Sequence, residues 1–134
     1  MKLKCLLLAV ISALLTACTK DPQIQAAYDL IERVTPGYSD QFKLELIEPV
    51  EGMDAYEISS DGDKVVLKGN NPVAIATAFN QYLKYTCNVH ISWLGNRLDL
   101  PEKLPLPTET IKNTINGKYR VCLLYTSPSP RDIS

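Results

Sequence analysis

Two reactive side chains, Cys87 and His90, lie three positions apart in this chain of 134 residues. A thiol and an imidazole at that spacing can hold zinc or form a nucleophile and its base. Zinc needs three or four ligands, and the chain has one histidine and no second ligand pair. A nucleophile needs an orienting group and an oxyanion site, for which the sequence has no signal. We therefore predict no metal and no cofactor, and we interpret Cys87 as a small buried thiol.

The acidic residues do not form a pair of the kind that hydrolyses glycosidic bonds. That chemistry requires two carboxylates held several ångströms apart on a rigid frame. Here the acidic residues fall on outward strand faces, in turns or in a linker (Glu45, Glu57, Asp61, Asp63, Glu102 and Glu109). The Asp-Gly pair within residues 59–63 predicts a hairpin turn, because a calcium loop needs more oxygen ligands and a final glutamate. We predict no catalytic residue in this chain.

Aromatic side chains can stack on sugar rings, but most of those found here have positions typical of a core. The helical period places Phe79 and Tyr82 on an apolar face, and strand alternation places Trp93 with apolar neighbours. Trp93 comes at the end of a predicted strand, so it is also a possible contact with a neighbouring domain.

The first residues have the pattern of a bacterial lipoprotein signal. Lys2 and Lys4 precede an apolar run, Leu6–Leu15, that is too short to span a bilayer, and a small residue comes directly before Cys18. We predict a signal peptide over residues 1–17, diacylglycerol on the Cys18 thiol and a tether over residues 18–21. The protein would then be lipid-anchored in the bacterial cell envelope. An ordinary cleavage site and an uncleaved anchor are the alternatives.

The net charge of the chain argues against a nucleic-acid-binding protein. Without residues 1–17 the chain has 12 Lys and Arg against 15 Asp and Glu, a net charge of −3, and no basic patch, so we predict no nucleic-acid partner.

The composition changes abruptly at residues 121–134, VCLLYTSPSPRDIS, which resemble a translated sequencing-adaptor tail and which we interpret as non-native. Cys122 lies in that tail, so we infer no disulfide framework.

The remaining sequence predicts two helices and four strands. Asp21-Pro22 and Asn71-Pro72 are helix starts, and each is followed by an apolar stripe at helical spacing. Alternating residues predict three strands between the helices and a last strand from Val89. The fold class is α+β, a small two-layer domain in the order α-β-β-β-α-β, with both helices on one face of a mainly antiparallel sheet.

Two stretches together resemble a known family. The first is Val65–Gly69 with the helix that ends in NQYLKYTC, and the second is HISWLGNRLDLPEKLPLP at residues 90–107. They resemble the N-terminal domain of alpha-N-acetylglucosaminidases, glycoside hydrolase family 89, from about residue 22 to Arg120. Several other glycoside hydrolase families share the strand-Gly-helix part, whereas the Tyr-Leu, Cys, His-Ile-Ser-Trp and Leu-Pro run is more specific.

The resemblance implies a longer parent enzyme. In that family this domain precedes a (β/α)8-type barrel whose two glutamates would release terminal alpha-linked N-acetylglucosamine with retention. Residues 118–120, Lys-Tyr-Arg, would introduce the first barrel strand, and the chain departs from the family pattern after Arg120. The implied organisation is an N-terminal domain at 22–101 and a Pro-rich connector at 102–120. Trp93, Tyr119 and Arg120 are possible domain-interface residues.

The expected function is therefore that of a non-catalytic fragment of a lipid-anchored exo-glycosidase. Its partners would be its own missing barrel and, through Cys18, a membrane, and it would meet glycan only through the parent. Alone it should hydrolyse nothing and be poorly soluble. The alternatives are a complete small lipoprotein that binds glycan or protein through exposed aromatics, and an N-terminal domain of another glycoside hydrolase family.

Overall fold

A computed structural model describes residues 21–92 and 94–117 of the chain. The helices are α1 (Pro22–Val34) and α2 (Pro72–Tyr85), with a short 3-10 helix at Ser39–Gln41. The strands are β1 (Phe42–Leu46), β2 (Asp54–Asp61), β3 (Lys64–Gly69), β4 (His90–Ser92), β5 (Gly95–Arg97) and β6 (Ile111–Ile115).

The main sheet has four strands in the order β1-β3-β2-β6. β1 runs parallel to β3, and the pairs β2–β3 and β2–β6 are antiparallel. Both helices pack on one face of this sheet and against each other. The predicted fold class, a two-layer α+β domain with a mainly antiparallel sheet, is confirmed.

The end of the domain differs from the predicted last strand. The stretch after Val89 forms a separate two-stranded hairpin, β4–β5, and the strand that completes the main sheet is β6. β6 lies in the stretch that the sequence assigned to a connector. Its sequence, IKNTI, is polar at every position between its two isoleucines. Such a strand is specified by its pairing with β2 rather than by its own alternation.

Both predicted helix starts are confirmed. The Asp21 carboxylate accepts a hydrogen bond from the Gln23 amide at 2.8 Å, and the Asn71 side chain accepts one from the Ala74 amide at 2.9 Å. A proline occupies the first helical position in each case. Local capping therefore fixes where each helix begins.

The core lies between the helices and the sheet. Phe42 is near its centre, with its ring edge-on to those of Phe79 and Tyr82 at centroid distances of 5.5 and 5.7 Å. The most deeply buried large side chains are Ile31, Ile58, Val65, Leu67, Ile75, Tyr82 and Leu83. The aromatic residues Phe79 and Tyr82 are thus core residues, as the sequence predicted.

α2 approaches β3 closely at Gly69. A Cβ atom at this position would lie 2.7 Å from the Ile75 amide nitrogen and 3.0 Å from the Ala74 Cβ. Gly69 does not have a positive φ, so the requirement for glycine here is one of space and not of backbone conformation.

A polar network holds the turn between β3 and α2. The Asp54 carboxylate accepts hydrogen bonds from the side-chain amides of Asn70, at 2.9 Å, and Asn71, at 2.8 Å. The Asn70 oxygen in turn accepts one from the Ala55 amide at 2.9 Å. Because Asn71 also caps α2, this network connects the start of β2 to the start of α2.

The segment after Pro101 is also part of the packed domain. Leu104 is 3% exposed within the core cluster. The Gln41 side chain donates to the Glu102 carbonyl and accepts from the Leu104 amide, both at 2.9 Å. The buried Tyr82 hydroxyl donates to the Pro105 carbonyl at 2.8 Å. Burial raises the pKa of Tyr82, so the phenol remains a proton donor.

We expect Gly69→Ala to lower the free energy of unfolding by roughly 1–3 kcal/mol, because the new methyl group would contact backbone atoms of α2. Urea denaturation followed by circular dichroism measures this change. Ser60→Ala, at an exposed position of β2, is the control and should change stability by less than about 0.5 kcal/mol. Equal stability of Gly69→Ala and wild type would contradict the close approach.

We expect Tyr82→Phe to cost about 1–2 kcal/mol of stability, because the Pro105 carbonyl loses its buried donor. The variant should also be cleaved faster by protease near Leu104. Tyr38→Phe is a matched control, since its hydroxyl donates to the Leu100 carbonyl at 3.3 Å from a half-buried position and its loss should cost less. The reverse order of the two effects would argue against this anchoring.

Candidate functional site

The predicted site residues lie outside the described part of the chain. Cys18, Trp93, Tyr119 and Arg120 are not among residues 21–92 and 94–117. The lipidation site and the domain-interface residues therefore stay predictions. Among the residues that are described, no helix combines the length and the apolar character needed to cross a membrane.

Cys87 and His90 do not form a reactive site. Cys87 is half-buried against the core and His90 is exposed, and Asn88 between them has a φ of 55°. Burial raises the pKa of the Cys87 thiol, and the Tyr82 hydroxyl opposes this only in part. A thiol that stays protonated is a poor nucleophile and a poor metal ligand. Within the described residues, no three His, Cys, Asp or Glu side chains converge as a metal site would require.

The open face of the sheet carries a row of alternating charges. Glu45, Lys68, Glu57 and Lys112 are successive cross-strand neighbours on β1, β3, β2 and β6. The Lys68 ammonium lies 3.2 Å from Glu45 and 3.7 Å from Glu57, and the Lys112 ammonium lies 3.1 Å from Glu57. The row therefore joins all four strands of the sheet.

Two further residues extend this row, Lys43 on β1 and Asp61 at the end of β2. The Lys43 ammonium lies 2.9 Å from Asp61 and 3.2 Å from Glu45. We call the six residues of this network the ion-pair ladder: Lys43, Glu45, Glu57, Asp61, Lys68 and Lys112. The sequence correctly placed Glu45 and Glu57 on an outward strand face.

The ladder favours the ionised form of two of its carboxylates, Glu45 and Asp61. Hydrogen bonds from Lys43 and Lys68 lower the pKa of Glu45, and the hydrogen bond from Lys43 lowers that of Asp61. A general acid for glycoside hydrolysis needs the opposite, a carboxyl whose pKa is raised by an apolar setting. The ladder is therefore a solvated, internally neutralised surface and not a catalytic pair.

An acidic cleft of about 400 Å³ lies between α1 and the 3-10 helix. Asp29, Glu32 and Asp40 line it. Glu32 accepts a hydrogen bond from the Gly37 amide at 3.0 Å, and hydrogen bonds, first that from Ser39, lower its pKa. This carboxylate holds the turn that follows α1 and is also unsuited to act as an acid.

The two helices differ in the faces that they turn away from the sheet. α1 carries Asp29, Glu32 and Arg33, all exposed, as a solvated helix does. Between Pro72 and Leu83, α2 has no charged residue. Its outward positions, spaced three and four apart, are Val73, Ala76, Thr77 and Asn80, which we call the α2 outer face.

The four residues of the α2 outer face differ in exposure. Val73 is 51% exposed and Asn80 is exposed, whereas Ala76 and Thr77 are partly buried. The apolar spacing of Ile75, Ala76 and Phe79 predicts that Ala76 lies on the core face. It is displaced to the flank because α2 packs on the sheet through Ala74, Ile75, Ala78 and Phe79. The lack of charge in residues 72–83 is the signal that could have singled out this face.

The aromatic platform expected of a sugar-binding module is not formed by Phe79 and Tyr82. Tyr82 is fully buried and Phe79 is 3% exposed. Tyr85 is 64% exposed at the end of α2, where the Lys84 ammonium lies 5.0 Å from the centre of its ring. The alternative of a small binding lipoprotein predicts that Trp93 and Tyr82 are exposed. Tyr82 is buried, and Trp93 is outside the described residues.

Comparison with known families gives a match over most of the described domain. The Alpha-N-acetylglucosaminidase (NAGLU) N-terminal domain matches residues 25–106. That match includes α1 from its fourth residue, the first three strands, α2, the hairpin β4–β5 and Leu104. No match was found among curated proteins.

Solved structures of family 89 glycoside hydrolases from Clostridium perfringens are similar to this chain. One is described in complex with 2-acetamido-1,2-dideoxynojirmycin, and another, with two glutamates changed to glutamine, with its substrate GlcNAc-alpha-1,4-galactose. In each case the TM-score is 0.70, the identity is 33% and 73% of this chain is covered. The match spans 11% of those chains, so this chain corresponds to a small part of the solved enzymes.

The family model matches residues 25–106, and the solved family 89 enzymes have the same fold over 73% of this chain. Both comparisons therefore lead to the same family assignment. This chain belongs to the family of alpha-N-acetylglucosaminidase N-terminal domains of glycoside hydrolase family 89.

Proposed function

We propose that this chain is the non-catalytic N-terminal domain of a longer exo-glycosidase. The parent enzyme would hydrolyse terminal alpha-linked N-acetylglucosamine from glycans. The observation that carries the proposal is the family match over residues 25–106, within a chain that spans 11% of the similar solved enzymes.

The side chains of the described domain support a structural role. Retaining hydrolysis needs a nucleophilic carboxylate and a second carboxyl that acts as acid and then as base. The carboxylates of the ion-pair ladder are paired with lysines, and Glu32 is held by its turn. The reacting groups would come from polypeptide that follows Arg120, and this domain would pack against it.

We further propose that the parent is anchored to a membrane of the bacterial cell envelope. The support is the sequence pattern of residues 1–17 and the small residue before Cys18. α1 begins at Pro22, directly after the proposed tether. The anchored domain would therefore sit close to the lipid surface, and the catalytic part would extend from there.

We expect the product of the uninterrupted reading frame to hydrolyse 4-nitrophenyl N-acetyl-alpha-glucosaminide, and residues 19–117 alone to release no nitrophenol above background. The physical reason is that the catalytic carboxylates would lie downstream. The control is the long product with its two downstream catalytic glutamates changed to glutamine. Hydrolysis by residues 19–117, or a native stop codon near residue 134, would contradict the proposal.

We expect Cys18→Ala to abolish incorporation of labelled palmitate in a bacterial host and to move the protein from the detergent phase to the aqueous phase. The two acyl chains of a diacylglyceryl group on Cys18, at about 0.8 kcal/mol for each buried CH2, would give stable anchoring. Cys5→Ala is the matched control, because Cys5 lies directly before the apolar run and would be removed with the signal. Unchanged labelling of Cys18→Ala would refute lipidation at this residue.

A further inference from the structure

The start of α1 lies at the end of the domain where β1 leads into the loop that precedes β2. The Tyr28 hydroxyl donates to the Phe42 carbonyl and accepts from the Leu44 amide, both at 3.3 Å, so α1 lies beside β1. A turn and the 3-10 helix join the end of α1 to the start of β1, so the two run in opposite directions. The rise from Tyr28 back to Pro22 is about 9 Å, which brings the start of α1 level with the first of residues 46–53. We call these residues the tip loop.

The tip loop exposes apolar side chains on a fixed backbone. Leu46 is 37% exposed and Val50 is 46% exposed. The backbones of Val50 and Met53 are joined by hydrogen bonds of 3.2 and 2.9 Å, and the two residues between them, Glu51 and Gly52, have φ values of 52° and 74°. This is a tight two-residue turn. Contact through the tip loop therefore does not first require a flexible segment to become ordered.

The proposed anchor limits how far this end of the domain can be from a lipid surface. Residues 18–21 are the proposed tether, and α1 begins at Pro22. Each extended residue spans at most about 3.5 Å, so a lipid-bearing Cys18 lies within about 14 Å of the start of α1. The opposite end of the sheet lies farther away by the length of β2, about 25 Å. With the anchor in place, the tip loop therefore lies close to the headgroups.

The other surfaces beside the tether are less suited to contact with lipid. The exposed side of α1 carries Asp29, Glu32 and Arg33. The open face of the sheet carries the ion-pair ladder, and covering it would remove paired charges from water. The tip loop combines a short distance from the tether with the exposed side chains of Leu46 and Val50.

The charges of the tip loop indicate the kind of headgroup that it meets. Residues 46–53 contain Glu48 and Glu51, both exposed, and no lysine or arginine. In the chain just before α1, the charges of Lys20 and Asp21 cancel. Carboxylates at a lipid surface are repelled by anionic headgroups and attracted by headgroup ammonium groups. The charge of the tip loop therefore favours a surface rich in phosphatidylethanolamine, which is zwitterionic.

We propose that the tip loop rests on a zwitterionic phospholipid surface, with Leu46 and Val50 at the level of the headgroups. The domain stands end-on, and the turn between β2 and β3 lies farthest from the lipid. This inference rests on the proposed lipid anchor at Cys18, because the anchor keeps the tip loop at the surface. Two apolar side chains are then sufficient to set the orientation, since the tether makes their contact with lipid intramolecular.

Quenching of a fluorescent label by spin-labelled lipid tests the orientation. Val50→Cys and Asp63→Cys are each made in the lipid-bearing chain with Cys87→Ala and Cys122→Ala, coupled to a fluorophore, and reconstituted into vesicles of phosphatidylethanolamine and phosphatidylcholine with nitroxide headgroups. Asp63 is the matched control, because it is exposed in the turn at the other end of β2. We expect quenching at position 50 to exceed that at position 63 at least about threefold, because about 25 Å of strand separates the two ends.

Charge reversal in the tip loop gives a second readout. Replacing part of the phosphatidylethanolamine by anionic phosphatidylglycerol should lower the quenching at position 50, because two carboxylates then face an anionic surface. Glu48→Lys combined with Glu51→Lys should turn this decrease into an increase, and 1 M salt should weaken both effects. Glu102→Lys combined with Glu109→Lys is the control, since both residues are exposed outside the tip loop, and it should leave the decrease unchanged.

The outcomes separate the end-on orientation from the anchor itself. Equal quenching at positions 50 and 63, or stronger quenching of a label at Asp29→Cys on α1, would overturn the orientation while the anchor stands. A shift in the emission of the position-50 label without vesicles would also overturn it, because the tip loop would then contact a second copy of the chain. A protein whose intact mass shows no lipid on Cys18 would refute both proposals.

Discussion

The contact between Gly69 and the first turn of α2 is the constraint on which the rest of the domain depends. It brings the helix backbone against the end of β3, where any side chain would collide with Ile75 and Ala74. The Asp54, Asn70 and Asn71 network then ties this junction to the start of β2. The helix layer is thereby set at a fixed angle over the sheet, and the core is formed between them.

That junction also determines what each face of the domain can do. α2 is turned so that its large apolar residues meet the sheet, which leaves a charge-free side outward. The registers of β2 with β3 and of β2 with β6 bring glutamate and lysine opposite one another on the other face. The domain thus has one charged layer and one layer whose outer helix face carries no charge.

The local parts of this structure were predictable from the sequence, and the long-range parts were not. The helix starts at Asp21-Pro22 and Asn71-Pro72 and the Asp61-Gly62 turn depend on neighbouring residues alone, and all are found. β6 was missed because IKNTI becomes a strand only by pairing with β2, far earlier in the chain. Alternation placed Glu45 and Glu57 outward, but their partners followed only from the register. The predicted interface residues Trp93, Tyr119 and Arg120 lie outside the described residues, so the candidate site rests on α2, which sequence reasoning had assigned to the core alone.

β6 also has a bearing on how the protein is made. As the ribosome releases the chain, α1, β1, β2, β3 and α2 emerge first, and β2 keeps an unpaired edge until Ile111–Ile115 arrives. An open edge is a template for wrong pairing with other chains. Closure of this edge therefore waits until residues 111–115 have left the ribosome, and until then the partly made chain has an edge that can pair with other chains.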